Sequence, residues 1–250
     1  MTSQAIRMEW IKLRSVRSTW WLAIAAVASM AASGIGVGLG YRSHIPIATE
    51  AQILNNSLSG AILAQLLLGA LGVLMVTGEY GTGMIRSTFA AVPRRGTVLA
   101  AKVAVCGGVS LVVGLVASFA GYLCGQLAIS GTAIPTASLG DASVLRPVLL
   151  TGVYLAATTL LGVGIGAIVR HSGAAIGTLF GLTFVPMILA GVFGSIAVGR
   201  FIPLMMLLNS ISVTAPVSGL FSAWISALLV CGYAAVVILA GGVLLRRRDV

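Results

Sequence analysis

The chain contains six continuous apolar runs, at about 20–40, 58–77, 99–127, 144–169, 173–198 and 220–245. Each reaches or exceeds the roughly 20 residues that a helix needs to cross the hydrocarbon core of a bilayer. None alternates in polarity over segments of about ten residues, as the strands of a membrane barrel would. A soluble fold is excluded on charge: 8% of the 250 residues are charged and 58% are hydrophobic, whereas soluble domains carry about 25% charged residues. The expected fold is all-α, a polytopic integral membrane protein with six transmembrane helices, forming a single domain over residues 1–250.

The net charge of +10 does not point to nucleic acid, because the basic residues flank the apolar runs. Under this segmentation, twelve of them fall on one side and three (Arg42, Arg146, Arg200) on the other. Through the positive-inside bias, that asymmetry places both termini in the cytoplasm and makes anionic membrane lipids a partner. Thirteen of the fifteen basic residues are arginine, and Lys12 and Lys102 are the only lysines. With the abundance of Ala, Gly and Val, this composition suggests a bacterial cell membrane.

Residues 4–18 read as a basic amphipathic helix in the membrane interface, with Ile6, Trp10 and Leu13 on one face and Arg7, Arg14 and Arg17 mostly elsewhere. The alternative, the charged start of a signal peptide, is disfavoured because the next apolar run is too long for one. Residues 41–56 and 128–143 read as outer loops, and Asn55-Asn56-Ser57 within the first as a coincidental glycosylation sequon. The segment 199–219, broken by Pro203, Asn209 and Pro216, reads as one or two short helices on or dipping into the outer face. Glycines spaced for close helix contact occur at Gly34 to Gly40, at Gly121 and Gly125, and at Gly173, Gly177 and Gly181. The last stripe suits either packing within the chain or a subunit interface.

Catalytic chemistry is hard to find. Neither lysine follows a glycine, so no phosphate-cradling loop is present. The HExxH and GxSxG patterns are absent. His44 and His171 are expected on opposite sides, and the three cysteines (Cys106, Cys124, Cys231) lie inside apolar runs, so neither a metal site nor a disulfide framework is expected. All five acids (Glu9, Glu50, Glu79, Asp141, Asp249) are expected in loops or at span ends. That disfavours a self-powered secondary transporter or channel, which commonly carries a carboxylate at membrane depth.

The longest polar and basic interruption is 78–102, GEYGTGMIRSTFAAVPRRGTVLAAK. Gly81 and Gly83 permit a sharp turn, Met84 to Ala91 suits a short helix, and Pro93 ends it. Glu79 is expected to pair with Arg86 or with an arginine of the N-terminal helix. Gly78, Glu79, Gly83, Pro93, Arg95 and Lys102 resemble the motif that follows the second span in permease subunits of type-2 ABC transporters; the segment Glu9 to Trp21 resembles the start of actinobacterial-type members. The resemblance implies a permease without an ATPase site of its own, ATP and Mg being held by a separate cytoplasmic ABC ATPase subunit. It implies pairing with a second permease subunit, and a coupling helix after the second span. The residues implied in coupling are Glu79, Tyr80, Gly83, Arg86, Pro93 and Arg95, with Glu9, Trp10, Lys12 and Arg14 on the interfacial helix. The apolar span faces suggest export of a hydrophobic or amphipathic compound. A single cysteine introduced at Arg94 is expected to react with a membrane-impermeant thiol reagent only after the cell is opened; labelling on intact cells would overturn the topology.

Overall fold

The computed structural model describes residues 2–44, 49–92, 94–130, 139–193, 199–212 and 220–247. Among them the chain is helical, with no strand. An N-terminal helix α1 (Thr2–Ser15) precedes the first span α2 (Arg17–His44). Helix α3 (Glu50–Ser57) leads through a 3₁₀ turn (Leu58–Gly60) into the second span α4 (Ala61–Gly81). The short α5 (Met84–Ala91) and the third span α6 (Arg95–Ile129) follow. The fourth and fifth spans are α7 (Ala142–Val169) and α8 (Ser172–Phe193); a short α9 (Pro203–Ile211) precedes the sixth span α10 (Ala223–Arg247). Six segments are long and apolar enough to cross a membrane.

Several boundaries differ from the sequence reading for physical reasons. The N-terminal helix stops at Ser15 rather than near 18. Ser15 Oγ donates to the Lys12 carbonyl and Trp20 Nε1 to the Arg14 carbonyl, which satisfies acceptors that a helix end leaves open. Much of the expected outer loop 41–56 is helical. Thr49 and Gln52 form a capping box, each side chain bonding the other's backbone N–H, and Asn56 Nδ2 donates to the Tyr41 hydroxyl at 2.7 Å. The tip of the other outer loop (131–138), the end of the fifth run (194–198), and Pro216 with its neighbours lie outside the described residues. Helix α9 does not rest on a surface: Leu204, Met206, Leu207 and Ile211 are buried, and Asn209 Nδ2 donates to Ser226 Oγ (3.1 Å) and to the Phe221 carbonyl.

The fourth span is the most enclosed and the fifth the least. Span α7 is flanked by α4, α6 and α10, while α2 lies along α6. Lipid removes most of the hydrophobic drive between spans, so close backbone approach has to hold them. A Cβ on Gly72 would fall on the Thr159 carbonyl oxygen and 2.9 Å from its carbon; one on Gly162 would fall on the Gly69 carbonyl oxygen. Gly34 meets Gly121 and Gly125 in the same way. Gly36 and Gly40 face open space, as do Gly177 and Gly181, and Gly173 meets only the adjacent His171 ring. The 173–181 stripe therefore packs against none of the other described helices.

The buried Tyr154 hydroxyl stands 2.9 Å from both Gln65 Oε1 and the Pro203 carbonyl, tying α4, α7 and α9 together. Gly72→Leu is expected to split α4 from α7 and lower stability by about 1–3 kcal/mol or more through overpacking. Gly177→Leu, which meets nothing, should be near neutral. Thermal unfolding of the two variants in the same detergent checks the contrast.

Candidate functional site

The ends of α1, α4, α5 and α6 meet at the end of the bundle where the basic residues gather. Helix α1 buries Ala5, Glu9 and Leu13, one residue per turn at i, i+4, i+8. Ile6 and Trp10 are exposed on another side, so Leu13 leaves the face assigned to it and Glu9 turns inward. Glu79 occupies the last turn of α4, and Lys102 lies two turns inside α6. Helix α5 can turn back here because Gly83, at φ 73°, takes the left-handed conformation that glycine allows. It buries Ile85 and Thr88 and exposes Met84 and Arg86.

These residues form one cluster. Lys102 Nζ donates to Glu9 Oε2 (2.7 Å), Glu79 Oε1 (2.6 Å) and the Met75 carbonyl (3.2 Å). Lys12 Nζ donates to Glu79 Oε1 (2.8 Å), Thr88 Oγ1 (3.0 Å) and Glu9 Oε1 (3.2 Å). Thr88 gives its own proton to the Met84 carbonyl (3.1 Å), leaving its lone pairs for Lys12. Each ammonium thus has three acceptors for its three protons. The Lys102, Glu9 and Glu79 side chains are 3%, 0% and 6% exposed, against 19% for Lys12. Two positive and two negative charges cancel in a region with little water.

The expected partner of Glu79 is therefore corrected. It binds Lys12 and Lys102, while Arg86 points outward on α5. Glu79 lies at a span end, as expected, but it and Glu9 are buried, and Lys102 is buried with them. Arg95 Nη1 donates to the Leu245 carbonyl (2.9 Å) and its guanidinium lies over the Phe89 ring, joining α5 and α6 to the end of α10. Tyr80 is capped by the Arg170 guanidinium, 5.2 Å from the ring centroid. Thr77 accepts from Ser172 Oγ (2.8 Å), linking the second span to the start of the fifth. Arg14 is exposed, and Pro93 lies outside the described residues.

One signal for the cluster was visible. The chain's only two lysines both sit in it. A compact ammonium with three diverging donors fits three converging acceptors, and a planar guanidinium does not. Among the described residues no group of three or more His, Cys, Asp or Glu is placed to hold a metal, and all three cysteines are free.

Six apolar spans, two of them joined at one end by a buried, neutral charge cluster, define a polytopic helical membrane protein. Residues 5–194 match the ABC-2 family transporter protein family; the chain belongs to that family, whose members are membrane components of transporters. The match takes in every member of the cluster. Compared with curated proteins, the chain matches none.

Removing one member of a buried charge set leaves the others uncompensated, which typically costs about 3–5 kcal/mol. Lys102→Met is expected to lose about that much and Lys102→Arg to recover little of it. In a double-mutant cycle with Glu9→Gln, the losses should be strongly non-additive. Denaturant unfolding of the purified variants checks both.

Proposed function

We propose that the chain is the permease subunit of an ABC exporter whose cytoplasmic ATPase docks on α5 and on the N-terminal helix. Membership of the ABC-2 family implies a membrane and an ATPase partner. The observation that carries the finer reading is the Glu9–Lys12–Glu79–Lys102 cluster. It joins the outward-facing α5 to the ends of two spans and to the interfacial helix, so a push on one is delivered to all. Arg86 and Met84 on the exposed side of α5 are the docking contacts. Glu79, Tyr80, Gly83 and Arg95 shape and orient that helix.

The ATPase holds ATP and Mg, and this chain supplies the path. A second permease subunit completes it, and the open face of α8 with Gly177 and Gly181 is available to that partner. The large apolar side chains exposed on the spans, such as Leu182, Leu189, Leu228 and Leu239, support a hydrophobic or amphipathic cargo. The basic end is read as cytoplasmic on the positive-inside bias.

Mild-detergent purification of the tagged chain from its native membrane is expected to recover a stoichiometric P-loop ATPase. Recovery of the chain alone, even after crosslinking, would overturn the reading. Arg86→Glu should lower ATPase recovery about fivefold, the effect of one interface contact near 1 kcal/mol. Thr88→Val, which faces the cluster instead of the partner, should keep the ATPase bound while reducing transport per ATP hydrolysed. Unchanged coupling in that variant would refute the role of the cluster.

A further inference from the structure

Arg200 stands at the end of the bundle opposite the charge cluster. Its guanidinium carbon lies 5.0 Å from the centroid of the Phe201 ring and 5.2 Å from that of Phe221. Phe221 comes just before the start of α10 at Ala223, whereas Leu245, near the other end of α10, meets Arg95. The two rings pack edge to face, with centroids 5.3 Å apart, and both attract the cation. Among the described residues no carboxylate pairs with Arg200. Its Nε is enclosed without a hydrogen bond; neither Nη nitrogen is bonded or enclosed in that way, so both reach the surface of this part-exposed residue. A fixed cation at a membrane face, with no counter-charge of its own, is a place for an anion.

The same Phe201 ring lines a cleft of about 540 Å³ between α8 and α10, within the roughly 300–1,000 Å³ typical of small-molecule sites. Leu182 and Pro186 stand on one side, Tyr233 and Val236 on the other. Leu182, Phe201 and Val236 are exposed, so the cleft opens sideways to the bilayer. Its surface is almost wholly apolar. The Tyr233 hydroxyl donates to the Phe201 carbonyl (3.1 Å), the Ile202 carbonyl accepts from the Met206 N–H (3.0 Å), and the Pro203 carbonyl accepts from Tyr154 (2.9 Å). Pro186 has no N–H and leaves the Leu182 carbonyl without its usual helical donor, but an acceptor does not hold an anion. A charged headgroup therefore has no partner inside the cleft and one beside it, on the far end of a shared ring.

We propose that this cleft binds an anionic phospholipid of the bilayer, with its phosphate on the Nη nitrogens of Arg200 and an acyl chain between α8 and α10. Basic residues between spans recognise acidic headgroups in this way, and a guanidinium suits a phosphate. The lateral opening makes the surrounding bilayer the source. A zwitterionic lipid brings its own cation to a site that already has one, so the net negative lipid is preferred. Gly177 and Gly181 are not in the wall, and the site needs neither the ATPase nor a second subunit.

The test uses the full chain in phosphatidylcholine nanodiscs containing a trace of phosphatidylglycerol with a photoreactive acyl chain. Saturable crosslinks are expected within 182–186 and 233–237. Added phosphatidylglycerol should suppress them at least about tenfold more strongly than the same amount of diacylglycerol, which has the tail without the phosphate, as a charge-assisted hydrogen bond implies. Arg200→Gln should lower the labelling by a similar factor. Val236→Trp, at an exposed position, fills the cleft and leaves Arg200 on its rings; it should abolish labelling with elution unchanged, which keeps the proposal testable if Arg200→Gln fails to fold. Equal suppression by the two lipids, labelling that survives in either folded variant, or unsaturable crosslinks spread over other exposed positions such as Leu228 and Leu239 would overturn the proposal.

Discussion

Burying four charges at one end of an apolar bundle is the constraint on which the rest of this structure depends. Taking an isolated ammonium or carboxylate out of water costs several kcal/mol after relaxation. The cost is tolerable here because the formal charges cancel and all six ammonium protons have acceptors. That balance requires α1, α4, α5 and α6 to be in place together, since each brings a member: Glu9 and Lys12, Glu79, Thr88, and Lys102 in turn. The N-terminal helix is thus as much a part of the bundle as a span. Its Trp10 and Ile6 remain outside because Ala5, Glu9 and Leu13 claim the inner face.

Away from that end the spans are held differently. Gly72 against Thr159, Gly162 against Gly69 and Gly34 against Gly121 bring backbones into contact. In lipid, such packing takes over what the hydrophobic effect does in water. The result is a tight α4–α7 seam and a second one between α2 and α6. Span α8 is attached mainly through its first turns and through α9, with most of its surface open. A bundle built this way is held along its seams and accessible on its fifth span.

The elements that depend on local sequence were legible. Apolar runs located the spans, and Gly83 with Met84–Ala91 located the turn and short helix, because those signals need no knowledge of what packs where. Beyond the rarity of lysine the cluster was not legible, because it joins residues 93 positions apart, Glu9 and Lys102. Their meeting depends on how α1 lies across α6. Amphipathicity also misled: aligning Leu13 with Ile6 and Trp10 put the apolar residues of α1 on a single face, whereas the helix buries a carboxylate with Ala5 and Leu13. The α3 helix was missed because its signal is a capping pair, Thr49 and Gln52, on a stretch with little hydrophobicity. A short helix in 199–219 was legible, but the depth of its burial was not, because Asn209 looked like a surface residue until Ser226 and the Phe221 carbonyl were seen to satisfy its amide.

The geometry of Glu79 makes the cluster a joint between helices rather than a single ion pair. Its Oε1 accepts from Lys12 at 2.8 Å and Lys102 at 2.6 Å, so one oxygen on α4 bridges helices on two sides. Effective dielectric falls with burial, and the same displacement changes the energy of such a pair far more there than at a wet surface. Moving α5 shifts Thr88, which holds Lys12; shifting Lys12 perturbs Glu79 and, through it, Lys102 inside the third span. Exposed arginine pairs would absorb the same motion in solvent and in side-chain freedom. The inner face of α5 is tied to the spans by buried contacts. Among the described residues, Thr88 and the two lysines behind it are the polar part of that tie, and Ile85, buried beside Thr88 on the same helix, is the apolar part.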